Sequence, residues 1–134
     1  VGEKMSKFKL NGSASTDGKG LWSNHKTNVN IKECDIHYLS RHTEKRDRFH
    51  AELRVYFSMK DWDTRKHGLI YTDKTWIKHL RNILCENGFS KKAARAVDYS
   101  EQGMQGDDYV SLDAGSDFIK EFAIFKTFGE VEEY

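Results

Sequence analysis

The sequence predicts an α+β fold, a single domain with a mainly antiparallel β-sheet and about two main helices packed on one face. Three observations predict it. Phe49, Ala51, Leu53, Val55 and Phe57 alternate with His50, Glu52, Arg54 and Tyr56, the period-two pattern of a strand with one packed face and one more polar face. Trp76, Ile77, Leu80, Ile83 and Leu84 fall at i, i+1, i+4, i+7 and i+8, the spacing of one helical stripe. Several alternating stretches also precede the first helical one, which favours an antiparallel sheet over repeated βαβ units. A chain of 134 residues suits one core.

Phe8 and Leu10 alternate with lysines and suggest a short opening strand. Asn11 to Gly20 holds no apolar residue larger than Ala14, so a flexible loop is expected over 11–20. Thr27, Val29 and Ile31 alternate, and the phase then changes to Cys34, Ile36 and Tyr38, which places a bulge or turn near Lys32-Glu33. The charged run Arg41 to Arg48 reads as a hairpin loop leading into the Phe49–Phe57 strand, and Gly68 to Tyr71 as another short strand. Thr72 or Asp73 can cap the helix that follows, with Gly88 at its C′ position. Ser90 can cap a short helix through Val97. A glycine-containing acidic loop is expected over 98–108, then a strand from Tyr109 to Asp113. A final helix starts at Ser116 and carries Phe118, Ile119, Phe122 and Phe125 on one side. The expected order is β-β-β-β-α-α-β-α.

Charge is segregated along the chain. Residues 1–97 carry 20 Lys/Arg against 11 Asp/Glu, and residues 98–134 carry 2 against 10, balances of +9 and −8 within a net +1. Such polarity steers a charged partner, or closes on itself if the acidic part folds over the basic part. No apolar run reaches the roughly 20 residues of a membrane span, and Val1 to Met5 has no secretory apolar stretch. Two cysteines, Cys34 and Cys85, are too few for a disulfide framework and suit a reduced, cytoplasmic protein.

The motifs that carry chemistry fail on spacing. Gly12 and Gly18 are separated by five residues where a phosphate loop has four, and Lys19 is followed by Gly20, so the phosphate loop and its magnesium-binding hydroxyl are both missing. Cys34, His37, His42 and His50 are the best zinc-like set, but on a strand Cys34 and His37 point to opposite faces. His25-Lys26-Thr27 has no second H-x-[ST] partner. Asp61, Asp63, Glu101, Asp107, Asp108 and Asp113 offer oxygen ligands for a metal-dependent hydrolase, without a nuclease-like D…E-x-K pattern. No cofactor, metal site or catalytic residue is therefore expected.

What remains is binding. The leading expectation is a non-enzymatic accessory protein that occupies a surface on another macromolecule, a protein rather than a nucleic acid. Asp107, Asp108, Tyr109, Glu101 and Met104 are its contact residues, set in the most distinctive loop. One alternative is a single-strand nucleic-acid binder in which Arg46, Arg48 and Arg54 meet phosphate and Tyr56 stacks a base, and a second is a metal-dependent hydrolase or nuclease built on the carboxylates above. Small size, a complete lack of proline and missing enzyme motifs suit a phage or mobile-element product.

Overall fold

Alternating side chains make three long strands before any helix forms, and each later helix then covers part of the apolar face. The computed structural model describes residues 7–42, 48–58, 68–100, 103–106 and 108–125. Strands β1 (Phe8–Asp17), β2 (Lys26–His42), β3 (Arg48–Phe57), β4 (Val97–Asp98) and β5 (Tyr109–Gly115) form one sheet in the order β1-β2-β3-β5-β4. Every neighbouring pair is antiparallel. Three helices accompany it: α1 (Lys74–Glu86), α2 (Lys91–Arg95) and α3 (Ser116–Phe125). This is the α+β architecture that the patterning predicts.

The phase change in β2 is a bulge. Its register against β3 shifts between Ile31 and Glu33, and again between Ile36 and Tyr38. Each extra residue returns the next apolar side chain to the packed face, so Val29, Ile31, Cys34 and Ile36 are all buried within one strand. Ala51, Leu53, Val55 and Phe57 of β3 join them, with Val110, Leu112 and Ala114 of β5. The helices close this layer with Trp76, Leu80 and Leu84 of α1 and Phe118 and Phe122 of α3. Phe89, between α1 and α2, stacks on Phe118 at 4.7 Å and meets Phe8 of β1 at 5.0 Å, so aromatic contacts tie the two ends of the core together.

The caps follow their residue types. Asp73 accepts the Trp76 N–H at 3.1 Å, and Ser90 accepts that of Ala93 at 3.1 Å. Gly88 takes a φ of 111° just past α1, a left-handed conformation that suits glycine.

Three expectations need correction. The stretch expected as a flexible loop over 11–20 is strand as far as Asp17. Its small residues fit a strand lying close under a helix: a Cβ on Gly12 would sit 2.7 Å from Ile83 Cγ1, while Ala14 is fully buried. Gly68 to Tyr71 is not a strand, since Gly68 makes only an isolated bridge to Ser23 and Ile70–Thr72 is a 3-10 turn. Val97 leaves the helix expected to contain it and pairs with Ala114, because its buried side chain is worth more in the sheet than in a second helical turn. The order is therefore β-β-β-α-α-β-β-α.

The connection between β1 and β2 is held by one carboxylate. Asp73 is fully buried, and its Oδ2 accepts the N–H groups of Asp17 at 3.2 Å and Gly18 at 3.1 Å and the Ser23 hydroxyl at 2.9 Å. Trp22 N–H donates to Thr72 Oγ1 at 3.0 Å, and Leu69 N–H to Trp22 O at 2.6 Å. Hydrogen bonds thus supply the ordering that apolar burial could not.

Two stability measurements check this account. Asp73→Ala removes a cap and strands buried donors, so urea unfolding is expected to show a loss of about 3 kcal/mol. Gly12→Ala is expected to cost about 1–3 kcal/mol, with Ile83→Val in the same chain recovering part of it because the collision is with that side chain.

Candidate functional site

Residues that alternate with the core of β2, β3 and β5 project from the other face of the sheet. Register places Arg54 between Asp35 of β2 and Ser111 of β5, and Tyr56 opposite Tyr109. The side chains form a connected cluster. Arg54 Nε donates to Glu52 Oε2 at 3.0 Å, and Glu52 also accepts the Ser111 hydroxyl. The Arg54 guanidinium lies 4.5 Å from the centre of the Tyr109 ring, and Tyr109 and Tyr56 are 5.9 Å apart. Lys7 sits 4.0 Å from the Tyr56 ring centre and 3.6 Å from Glu33.

Met104 completes the surface. Tyr109 Oη lies 3.4 Å from its sulfur, yet the methionine is 54% exposed. The 103–106 segment folds back on β5: Ser111 N–H donates to Met104 O at 2.7 Å and Gly106 N–H to Tyr109 O at 2.8 Å. A Cβ on Gly106 would lie 2.2 Å from the Tyr109 ring, so glycine is what admits it. Gln105 fastens the segment further, accepting the Ile70 N–H at 2.9 Å and donating to Gly68 O at 3.3 Å. The connection is strapped to the scaffold rather than simply linking two elements.

The acids of this face differ in their environments. Burial alone would raise the Glu52 carboxyl, but the Ser111 and Arg54 hydrogen bonds and the Arg54 charge outweigh it and hold the pKa below its usual range. At Asp35 burial wins and the pKa rises, despite the opposing influence of His37, Tyr56, Lys7 and Arg54. Asp35 Oδ1 finds no hydrogen-bond partner among the described residues, while Oδ2 accepts from Tyr56 Oη at 3.3 Å. The Tyr56 hydroxyl is in turn pushed up to about 12 by burial and the neighbouring Asp35 charge, so it stays protonated and donating.

The structure joins residues that the sequence assigns to two separate readings. Arg54 and Tyr56, named for nucleic-acid contact, share one surface with Tyr109 and Met104, named for protein contact, while Asp108, also named for it, is exposed next to Tyr109 in the chain. Asp108 also accepts the Phe57 N–H through its carbonyl at 2.9 Å. Glu101, Asp107 and Arg46 lie outside the described residues, and so does the Arg48 side chain, whose backbone pairs with His42. Sequence reasoning missed Asp35, Glu52 and Ser111. The alternation around Arg54 could have located Glu52, but only the strand order brings Asp35 and Ser111 beside it. Of the zinc-like set, Cys34 is buried in the core, whereas His37 acts on Asp35 and Glu52 across the outer face. No group of three or more His, Cys, Asp or Glu is placed to hold a metal ion among the described residues.

Charge segregation along the chain is partly closed in space, through Arg81 with Asp98 at 3.2 Å and Lys92 with Asp117 at 3.8 Å. Both are surface pairs of small energetic weight. Among the described residues no helix is long and apolar enough to cross a membrane. Compared with known proteins, the chain matches no family model, no curated protein and no solved structure.

The two carboxylates predict opposite pH effects. Glu52, with a lowered pKa, stabilises the fold above the usual carboxylate range, and that share is lost as pH falls through its folded value. Asp35, with a raised pKa, stabilises it only while protonated, and that share is lost as pH rises through its folded value. Asp35→Asn is therefore expected to raise the thermal midpoint at pH 7, with the gain shrinking toward acid pH. A lower midpoint at pH 7 would mean that attraction from Lys7, His37 and Arg54 exceeds the burial cost.

Proposed function

We propose that this chain is a small accessory protein that binds another protein through the outer sheet face, with Tyr109 and Met104 at the centre of the contact. The observation that carries it is the seating of an exposed methionine on Tyr109, whose ring also receives Arg54. Tyrosine, arginine and methionine are the residue types enriched in protein interfaces, and a cluster held rigid before contact loses little entropy on binding.

Electrostatics favours a protein over a nucleic acid at this face. The Arg54 charge is matched by Glu52, and Lys7 and Lys9 both meet Glu33, so among the described residues the face gathers no excess of positive charge for a phosphate backbone. The sheet edges favour side-chain contact over strand addition. At β1, α1 reaches the backbone at two points, where Ser15 N–H donates to His79 Nδ1 at 2.9 Å and Asn87 Nδ2 donates to Asn11 O at 3.3 Å. At the opposite edge β4 has two residues. An accessory role in the cytoplasm, of the kind that phages and mobile elements encode, is consistent with the size and composition.

Affinity capture from the native host, with nuclease treatment and mass spectrometry, tests the reading. A protein partner is expected to survive nuclease. Tyr109→Ala is expected to weaken its capture about 30-fold, the scale of an aromatic anchor. Met104→Glu and Asp108→Lys, both at exposed positions, are expected to weaken it without changing the melting temperature. Undiminished capture by all three variants would remove this face from the proposal.

A further inference from the structure

One groove on the helix side of the molecule gathers positive charge. Lys78, Arg81, Asn82 and Cys85 of α1, with Lys91 and Arg95 of α2, line an open groove of about 620 Å³. Glu86 is the one acidic residue among those lining it, so four cations face one carboxylate. Arg81 is already engaged, with Nε donating to Val97 O at 2.9 Å and Nη2 lying 3.2 Å from Asp98. Lys78, Lys91 and Arg95 are exposed and form no ion pair among the described residues. Among the described residues, three cations without an ion pair therefore surround one concavity.

We propose that this groove binds the phosphodiester backbone of duplex nucleic acid. Cys85 and Ala94 are the groove's apolar lining residues, and neither is large enough to anchor a protein hot spot. No aromatic residue lines it to stack an unpaired base, as a single-strand site requires. Lysine and arginine around a shallow polar groove suit evenly spaced phosphates, which position a duplex without reading its sequence. This inference is independent of the protein-binding face, which lies on the other side of the sheet, and either can fail alone.

Anisotropy of a labelled random-sequence duplex tests it in the intact chain. Three available cations predict an affinity that falls about 40-fold between about 50 and 200 mM salt. Lys78→Gln, Lys91→Gln and Arg95→Gln together are expected to abolish most of that binding and its salt dependence, whereas Lys9→Gln on β1 leaves it unchanged. Cys85 gives a second readout without mutation. Duplex in the groove is expected to slow its alkylation, while Cys34, fully buried, stays unreactive throughout. The proposal is overturned if no duplex binds at low salt, if binding leaves Cys85 alkylation unchanged, or if the triple variant binds as before. Tighter binding of a polyglutamate peptide than of duplex, lost in the same variant, would overturn it in favour of an acidic protein.

Discussion

A single buried carboxylate holds the two halves of this fold in register. Asp73 ends the 3-10 turn, caps α1 and receives donors from the β1–β2 connection, so one side chain fixes both where the helix starts and where the hairpin turns. Burying a carboxylate without partners would cost several kcal/mol, and here donors from two segments far apart in sequence share that burden. Once α1 is anchored at that end, its apolar stripe settles along β1, and Gly12 and Ala14 allow the close approach. The rest of the core follows from that placement.

The same sheet then serves two purposes because its faces obey different rules. Inward, apolar side chains from all five strands and three helices exclude water, and three register shifts along β1 and β2 keep the pattern in phase. Outward, polar and aromatic side chains of β2, β3 and β5 meet one another instead. Arg54 is shared between Glu52 and the Tyr109 ring, and Tyr56 between Asp35 and Lys7. Hydrogen bonds within such a cluster restrict rotamers, which is how an exposed surface becomes preorganised.

Much of the fold was legible in the residues. The stripe from Trp76 to Leu84, the caps at Asp73 and Ser90, the glycine at 88 and the alternation from Ala51 to Phe57 each state a local preference strong enough to survive folding. The bulge near Glu33 was legible for the same reason, since a phase change in a period-two pattern leaves few other solutions. Asn11–Asp17 was not. Its small polar residues carry no strand preference of their own, and only the neighbouring helix gives their size a purpose. Val97 was misplaced because a helical propensity of one residue is weaker than a vacant position beside β5.

For the candidate site the division is sharper. By itself the sequence determined which residue types were available: an arginine and a tyrosine on the polar side of one strand, and a Met-Gln-Gly-Asp-Asp-Tyr segment elsewhere. It also determined that the cationic and anionic groups fall in different parts of the chain. Only the tertiary structure decided that β5 lies beside β3, which brings Tyr109 and Met104 to Arg54 and Tyr56, and that α1 and α2 gather Lys78, Lys91 and Arg95 around one groove. The physical reason is range. Capping and periodicity act over a few residues and are written locally, whereas strand order and helix docking depend on how the whole apolar surface is buried at once.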